Sequence, residues 1–412
     1  MKKLNTRLIH GETDSHETLR SLKTPVYETA SFDFETAEAV EEAFTGRTDA
    51  YMYSRIANPT VRELEKRLKI LANAEDCLCV GSGMAAISNV LLTICSAGDN
   101  IISSKNLFSN TFVLFTKTLP ALGIGVKFVD LDNPAEIEAA CDDFTRAVFV
   151  EVMTNPMLKI YDMRSIAQVA NRTNKLLIID NSMLTPYIFP SGAWGADIEL
   201  LSTTKFVSGG ATTIGGAVFT FPSDKWQYVP NIESEFKMFG NAGFFRKLSR
   251  EIYRNVGACL APHNAYLQLL GLETLTLRID KICENALEVA RVLSQMEGVV
   301  RVIYPSLKDS RYYSLALEQF GAKSGSLIGV ELKDKGQCFR FMNALRVIRR
   351  GTNFCDNKSM IIHPASTMYA DFSDADKAAM GITDGFMRLG VGLEDPQDIL
   401  DDIRQALAES VV

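Results

Sequence analysis

The order of apolar and polar residues predicts an α/β protein: a mostly parallel sheet of about seven strands with a smaller C-terminal α/β unit behind it. Three observations carry this. Short apolar runs without polar alternation recur between residues 77 and 220, separated by helical stretches. Strands buried on both faces of a parallel sheet read this way. A second strand–helix alternation begins near residue 299. Finally, 412 residues exceed one typical domain, and 47% apolar with 23% charged residues suits a chain that buries a large core.

Residues 1–60 show weak periodicity and several turn signals, Thr24-Pro25, Thr45-Gly46 and Asn58-Pro59. They predict an extended arm with a short helix near 35–44. An arm without its own core lies on another surface, here expected to be a neighbouring subunit. The segment VRELEKRLKILANA, starting at Val61, is an amphipathic helix. Strand runs follow near 77–80, 100–103, 126–130, 147–152, 176–180, 198–202 and 216–220. Helical patterns fill 84–95, 109–121, 134–141 and 163–173. The short gap between the last two strands predicts that one of them runs antiparallel. A long helical region spans Gly257 to about 293, with Pro262 near its start. Strands near 299–303, 326–332 and 385–392, with helices near 335–346 and 396–409, complete the second unit. The expected division is an arm at 1–60, a cofactor-binding α/β domain at 61–256 and a C-terminal α/β domain at 257–412.

Composition excludes several classes of function. Net charge is −7 and basic residues are spread thinly, so no nucleic-acid partner is expected. The two N-terminal lysines precede no apolar run, which argues against a signal peptide. No stretch approaches the ~20 apolar residues of a membrane span, so no membrane partner is expected. Eight cysteines sit mostly in apolar contexts, and Cys77 and Cys79 occupy same-face positions of a strand. Free buried thiols in a reducing cytoplasm are the expectation. The four histidines, at 10, 16, 263 and 363, have no metal-like spacing, so no metal is expected.

Three short segments carry chemistry. Asp180 ends the strand LLIID, and ligands of open parallel sheets bind beyond the carboxyl ends of strands. Taken singly, such an aspartate is an ordinary turn former or helix cap. Lys205 sits in LLSTTKFVSGG, also after a strand, among small hydroxyl residues and glycines. Alone it reads as a surface loop, yet a Schiff-base lysine needs this setting. Gly81-Ser82-Gly83-Met84 joins a strand to a helix and would present free N–H groups to an anion. By itself that too is a common turn. Together they supply what pyridoxal phosphate requires: an amine for its aldehyde, an acid beside its ring nitrogen and an anion site.

Five segments in order, YMYSRIANPT (51–60), GSGMAA (81–86), the strand ending Asp180-Asn181, STTKFVSGG (202–210) and IIHPAST (361–367), resemble the Cys/Met-metabolism PLP-dependent enzymes, the transsulfuration group. The resemblance covers nearly the whole chain. It implies the aspartate-aminotransferase-like (type I) fold and pyridoxal 5′-phosphate as cofactor. Lys205 would hold the cofactor and shuttle protons, and Asp180 would pair with the pyridine nitrogen. The N–H groups of Gly83 and Met84 and the hydroxyls of Ser202 and Thr204 would bind phosphate. Tyr53 and Arg55 would reach the phosphate of a neighbouring subunit, in a homotetramer built from dimers. Asn155 would sit near the ring oxygen and the substrate. Arg388 would clamp the substrate carboxylate, with Asn353 beside it.

The chain also departs from the family pattern. In NLFSNTF (106–112), Phe108 stands where the family has a tyrosine that stacks on the ring and assists the leaving group; Phe108 can take the stacking, cofactor-binding and catalytic place but has no hydroxyl to move a proton. Asn110 replaces the cysteine typical of methionine γ-lyases, and Tyr253-Arg254-Asn255 replaces their Lys-Asp pair. GGATTIGG (209–216), NKSMIIHPAST (357–367), the segment 257–278 and Asn353 look more like O-acetylhomoserine sulfhydrylases. The segment 222–245 is shorter than their usual insertion, and GITDGFMRLGVGLEDPQDI (381–399) looks equally like a γ-lyase. The resemblance therefore implies γ-replacement on an activated homoserine ester, with sulfide or a thiol as donor and homocysteine or methionine as product. A methionine γ-lyase and a cystathionine γ-synthase are the alternatives. The motifs around Lys205 and Arg388 are not those of aminotransferases.

Overall fold

Runs such as LLIID lack polar alternation because helices cover both faces of the sheet they form. The structure is a computed structural model that describes residues 2–11 and 21–411. His16 and part of the predicted arm lie outside the described residues. Seven strands form the large sheet: β1 (Asp76–Val80), β2 (Asn100–Ser103), β3 (Gly125–Phe128), β4 (Thr145–Glu151), β5 (Leu176–Asp180), β6 (Ile198–Leu201) and β7 (Gly216–Thr220). Their order is β1-β7-β6-β5-β4-β2-β3. From β3 across to β6 every pair is parallel, while β7 is antiparallel to both β6 and β1. The antiparallel strand that the short spacing predicts is therefore β7.

Register matters for the site. β4 and β5 align Glu151 with Asp180, and β5 and β6 align Asp180 with Leu200. The carboxyl ends of three neighbouring strands thus finish level, and the loops after them open on one edge.

The smaller sheet has five strands: β8 (Arg301–Ile303), β9 (Leu327–Glu331), β10 (Arg349–Arg350), β11 (Met360–Ile362) and β12 (Phe386–Gly390), in the order β10-β11-β12-β9-β8. Pattern reading finds β8, β9 and β12 but not β10 or β11. Those two are only two and three residues long, too short to show a period. The long helical region is two helices, Pro262–Glu273 and Leu275–Leu293, parted where Thr274 leaves the helical region at φ −114°. The stretch 109–121 is helical throughout, with a π-turn at Leu114–Thr118.

The arm departs in part from the extended, coreless expectation. Leu4–His10 is a helix whose buried Leu8 joins the core around Leu64 and Leu68. Arg67 secures it by donating to the carbonyls of Leu8 at 3.2 Å and Ile9 at 3.0 Å. The predicted short helix is Ala37–Thr45, and its Phe44 is exposed. All eight cysteines are free. Among the described residues no helix is long and apolar enough to cross a membrane.

Candidate active site

The loops after β1, β2, β4, β5 and β6 surround a cavity of about 190 Å³. Gly83, Met84, Phe108 and Asn155 line it, as do Asp180, Ser202, Thr204 and Lys205. The anion end is built from the helix Gly83–Ile94. Ser82 caps it, its hydroxyl accepting from Ala85 N at 3.0 Å and its carbonyl from Ala86 N at 3.1 Å. The N–H groups of Gly83 and Met84 are therefore the first donors of the helix, free of the cap. A Cβ at Gly83 would lie 2.8 Å from Ser202 Cβ, so glycine is what lets the helix entry approach the β6 loop. Thr204 lines the same end, but its hydroxyl already bonds both ways with Gly215, accepting from the amide at 3.0 Å and donating to the carbonyl at 3.2 Å.

Lys205 follows β6 at the start of a short 3-10 turn, Phe206–Ser208. Its Nζ donates to Asn353 Oδ1 at 2.7 Å and lies 4.2 Å from the Phe354 ring centroid. Burial lowers its pKa to about 8, and the nearby Arg388 charge adds to that effect. The amine is thus held near the point where it acts as a nucleophile or base. Asp180 sits at the other side of the cavity, accepting from Ser182 N at 3.0 Å. Burial raises its carboxyl above the usual range. A cationic ring nitrogen beside it would offset that burial.

Arg388 comes from the middle of β12 and is 1% exposed. Its Nη1 donates to Asn155 Oδ1 at 3.0 Å, and its Nη2 to the carbonyls of Thr352 at 2.8 Å and Asn353 at 3.2 Å. Among the described residues no carboxylate pairs with it. Burial lowers its pKa to about 10. A buried guanidinium held by neutral acceptors retains the capacity to pair with an anion.

Tyr53 and Arg55 are not in this cavity. They line a separate cleft in the arm with Phe32, Phe44 and Arg254. Arg55 donates to the Arg254 carbonyl at 2.5 Å, and Tyr53 is 42% exposed. Three residues of the site escape pattern reading. Glu151 is 6% exposed at the end of β4, next to Asp180. The same strand-end signal that singles out Asp180 applies to it. Phe354 lies under both cations, with Arg388 at 5.0 Å from its centroid. Tyr369 is fully buried, and no sequence signal marks it.

A buried amine, a strand-end acid and an open helix entry meet on one edge of the large sheet, and a buried arginine approaches from the small sheet; this set suits pyridoxal phosphate. The residues fit that group: the amine for its aldehyde, the acid for its ring nitrogen, the Gly83 cradle for its phosphate. The model of the Cys/Met metabolism PLP-dependent enzymes matches residues 5–408, and the chain belongs to that family. It is 35% identical over 407 residues to the L-methionine gamma-lyase of Pseudomonas deceptionensis, covering 98% of this chain and 96% of that one. A putative O-acetylhomoserine (thiol)-lyase structure from Campylobacter jejuni, which carries a pyridoxyl-lysine monophosphate, superposes with a TM-score of 0.92 at 31% identity, covering 99% of this chain and 100% of that one. The O-acetylhomoserine sulfhydrylase structure of Wolinella succinogenes is 41% identical, with a TM-score of 0.77, covering 86% of this chain and 99% of that one. The protein is thus a PLP-dependent enzyme of the sulfhydrylase and lyase group, and its relatives include both kinds.

Proposed function

We propose that the enzyme replaces the γ-substituent of an activated homoserine ester, O-acetylhomoserine in the simplest case, with sulfide or a small thiol. The observation that supports this over elimination from methionine is Phe108, which lines the cavity with a hydrocarbon ring where a proton donor would assist a leaving group. Acetate is a far weaker base than a thiolate and departs without such help. The putative O-acetylhomoserine (thiol)-lyase from Campylobacter and the O-acetylhomoserine sulfhydrylase from Wolinella support this reading.

Arg388 binds the α-carboxylate of the amino acid by a bidentate pair, exchanging neutral acceptors for an anion. Asn353 touches Lys205 through its side chain and Arg388 through its carbonyl, so one residue sets the span between amine and guanidinium. That span selects an α-amino acid. Lys205 Nζ takes the proton from the substrate's Cα. Asp180 would hold the ring nitrogen, and Gly83, Met84, Ser202 and Thr204 would hold the phosphate. Asn155 faces the substrate from beside Arg388. When bound, pyridoxal phosphate supplies an electron sink for bonds broken next to the amine. Tyr53 and Arg55, remote from their own chain's cavity, complete that of a neighbouring subunit in a tetramer.

Elimination from methionine is the second reading, favoured by the 35% identity to a γ-lyase. A paired assay on PLP-loaded enzyme decides. One reaction holds O-acetylhomoserine with sulfide, the other L-methionine alone, and homocysteine and 2-oxobutanoate are quantified in both. Dominant homocysteine in the first is expected. Rapid 2-oxobutanoate from methionine would overturn the proposal in favour of a lyase.

A further inference from the structure

Two backbone segments flank the cavity, the Leu107-Phe108 peptide and the two peptides on either side of Asn155. The same two buried side chains hold both segments. Glu151 accepts from Phe108 N at 2.7 Å through Oε1 and from Asn155 N at 3.4 Å through Oε2. Tyr369 places its hydroxyl 3.0 Å from the Leu107 carbonyl and 3.0 Å from the Asn155 carbonyl. The Leu107 carbonyl and the Phe108 N–H belong to a single peptide unit. That unit is therefore pinned at both ends, by an acceptor from the large sheet and a donor from the C-terminal unit.

Tyr369 is itself fixed in place. His363 caps the 3-10 turn Pro364–Ser366, with Nδ1 2.8 Å from Ser366 Oγ and Nε2 2.8 Å from the Asp384 carbonyl. Tyr369 N then donates to the Pro364 carbonyl at 3.1 Å. The neighbouring Met368 places its Sδ 3.5 Å from Arg388 Nη1. The segment that carries Tyr369 thus also touches the guanidinium.

We infer that Glu151 and Tyr369 are positioning residues that clamp the Phe108 and Asn155 loops, fixing the aromatic face of the cavity and, through Asn155, the aim of Arg388. The inference rests on the proposed roles of Phe108 and Asn155, and it is independent of which reaction the site runs. Burial and the adjacent Asp180 push the Glu151 carboxyl well above its usual range, and its two backbone contacts pull the other way. Because Tyr369 comes from the C-terminal unit, the clamp ties the placement of that unit to the geometry over the cofactor.

The test uses PLP-loaded wild type, Tyr369→Phe, Glu151→Gln and the double variant. Tyr369→Phe keeps the ring and removes only the hydroxyl, so it preserves the packing. Displacement of a reacting group by ~1 Å costs on the order of 10²-fold, and a loosened loop moves less. Tyr369→Phe is expected to lower kcat by roughly tenfold and to raise the KM for the amino acid severalfold. It is also expected to shift the visible band of the bound cofactor and its pH midpoint, with the melting temperature nearly that of wild type. The double variant is expected to lose less than the product of the single losses, because both loosen one peptide unit. A Tyr369→Phe enzyme with wild-type kcat, KM and spectrum would overturn the inference, as would losses that multiply. The absorbance needs no turnover, so a wild type inert on both amino acids would break the functional proposal while the spectra still judge the clamp.

Discussion

The two sheets contribute to the site in different ways. The large parallel sheet offers only its edge: Glu151, Asp180 and Lys205 all sit at or just beyond strand ends, and the helix entry at Gly83 joins them there. The small, mostly antiparallel sheet contributes from the middle of a strand, where Arg388 is paired in register with Gly329 on one side and Ile362 on the other. A parallel sheet covered on both faces has no free face to give, so its chemistry collects at the carboxyl edge. A sheet packed as the wall of a cleft can aim one side chain from its interior. On the proposed reading, the cofactor half of the site is built by topology and the substrate half by one buried charge.

The largest expected effect breaks the edge cluster. Lys205→Ala removes the amine and should abolish turnover together with the visible absorption of the lysine–cofactor imine. An unchanged spectrum in that variant would remove Lys205 from its assigned place. The matching change in the other sheet is Arg388→Ala. Truncating one member of a buried charged contact costs 2–5 kcal/mol, so the KM for the amino acid should rise by about 10²-fold or more while cofactor absorption persists. Arg388→Lys should recover only part of this, since a lysine cannot present the bidentate fork. An unchanged KM would mean that the carboxylate binds elsewhere.

A third expectation concerns what neither sheet supplies. Arg55→Ala should weaken cofactor binding by roughly tenfold, in line with the loss of one charge-assisted contact. Mixed oligomers of Arg55→Ala with Lys205→Ala should recover activity beyond the sum of the two parents, because one site type regains both groups. A fully loaded, active monomer in light scattering would exclude a shared site. The smallest effect is on pH. Lys205 is protonated below about 8 and neutral above it. Only the neutral amine attacks an aldehyde, so the rate at which the cofactor-free protein takes up pyridoxal phosphate should rise through about pH 8 and then level. A flat rate between pH 7 and 9 would show that burial does not set the amine.

Much of this was legible in residue order. The unalternated runs mark all seven strands of the large sheet, because burial on both faces is written directly into composition. Asp180, Lys205 and Gly83 stand out because each follows such a run. Glu151 carries the same signal, but EVMTNP reads equally as a strand continuing into a turn. Its weight comes only from its register beside Asp180. Tyr369 has no local signature, since its partners at Leu107 and Asn155 are distant in sequence. The arm shows the same limit. Leu8 packs against a helix more than fifty residues away, and an isolated stretch of seven residues has too little period to announce that.

The sequence by itself determined the class of fold, the family, the cofactor and the residues that follow strand ends, since each depends on local pattern or ordered motifs. Tertiary structure alone decided which side chains share a cavity. It left Tyr53 and Arg55 outside their own chain's cavity, buried Arg388 among neutral acceptors, and brought Glu151 and Tyr369 to opposite ends of one peptide group. Those outcomes depend on strand register and on the docking of the C-terminal unit, which are non-local and are settled only when the whole chain packs.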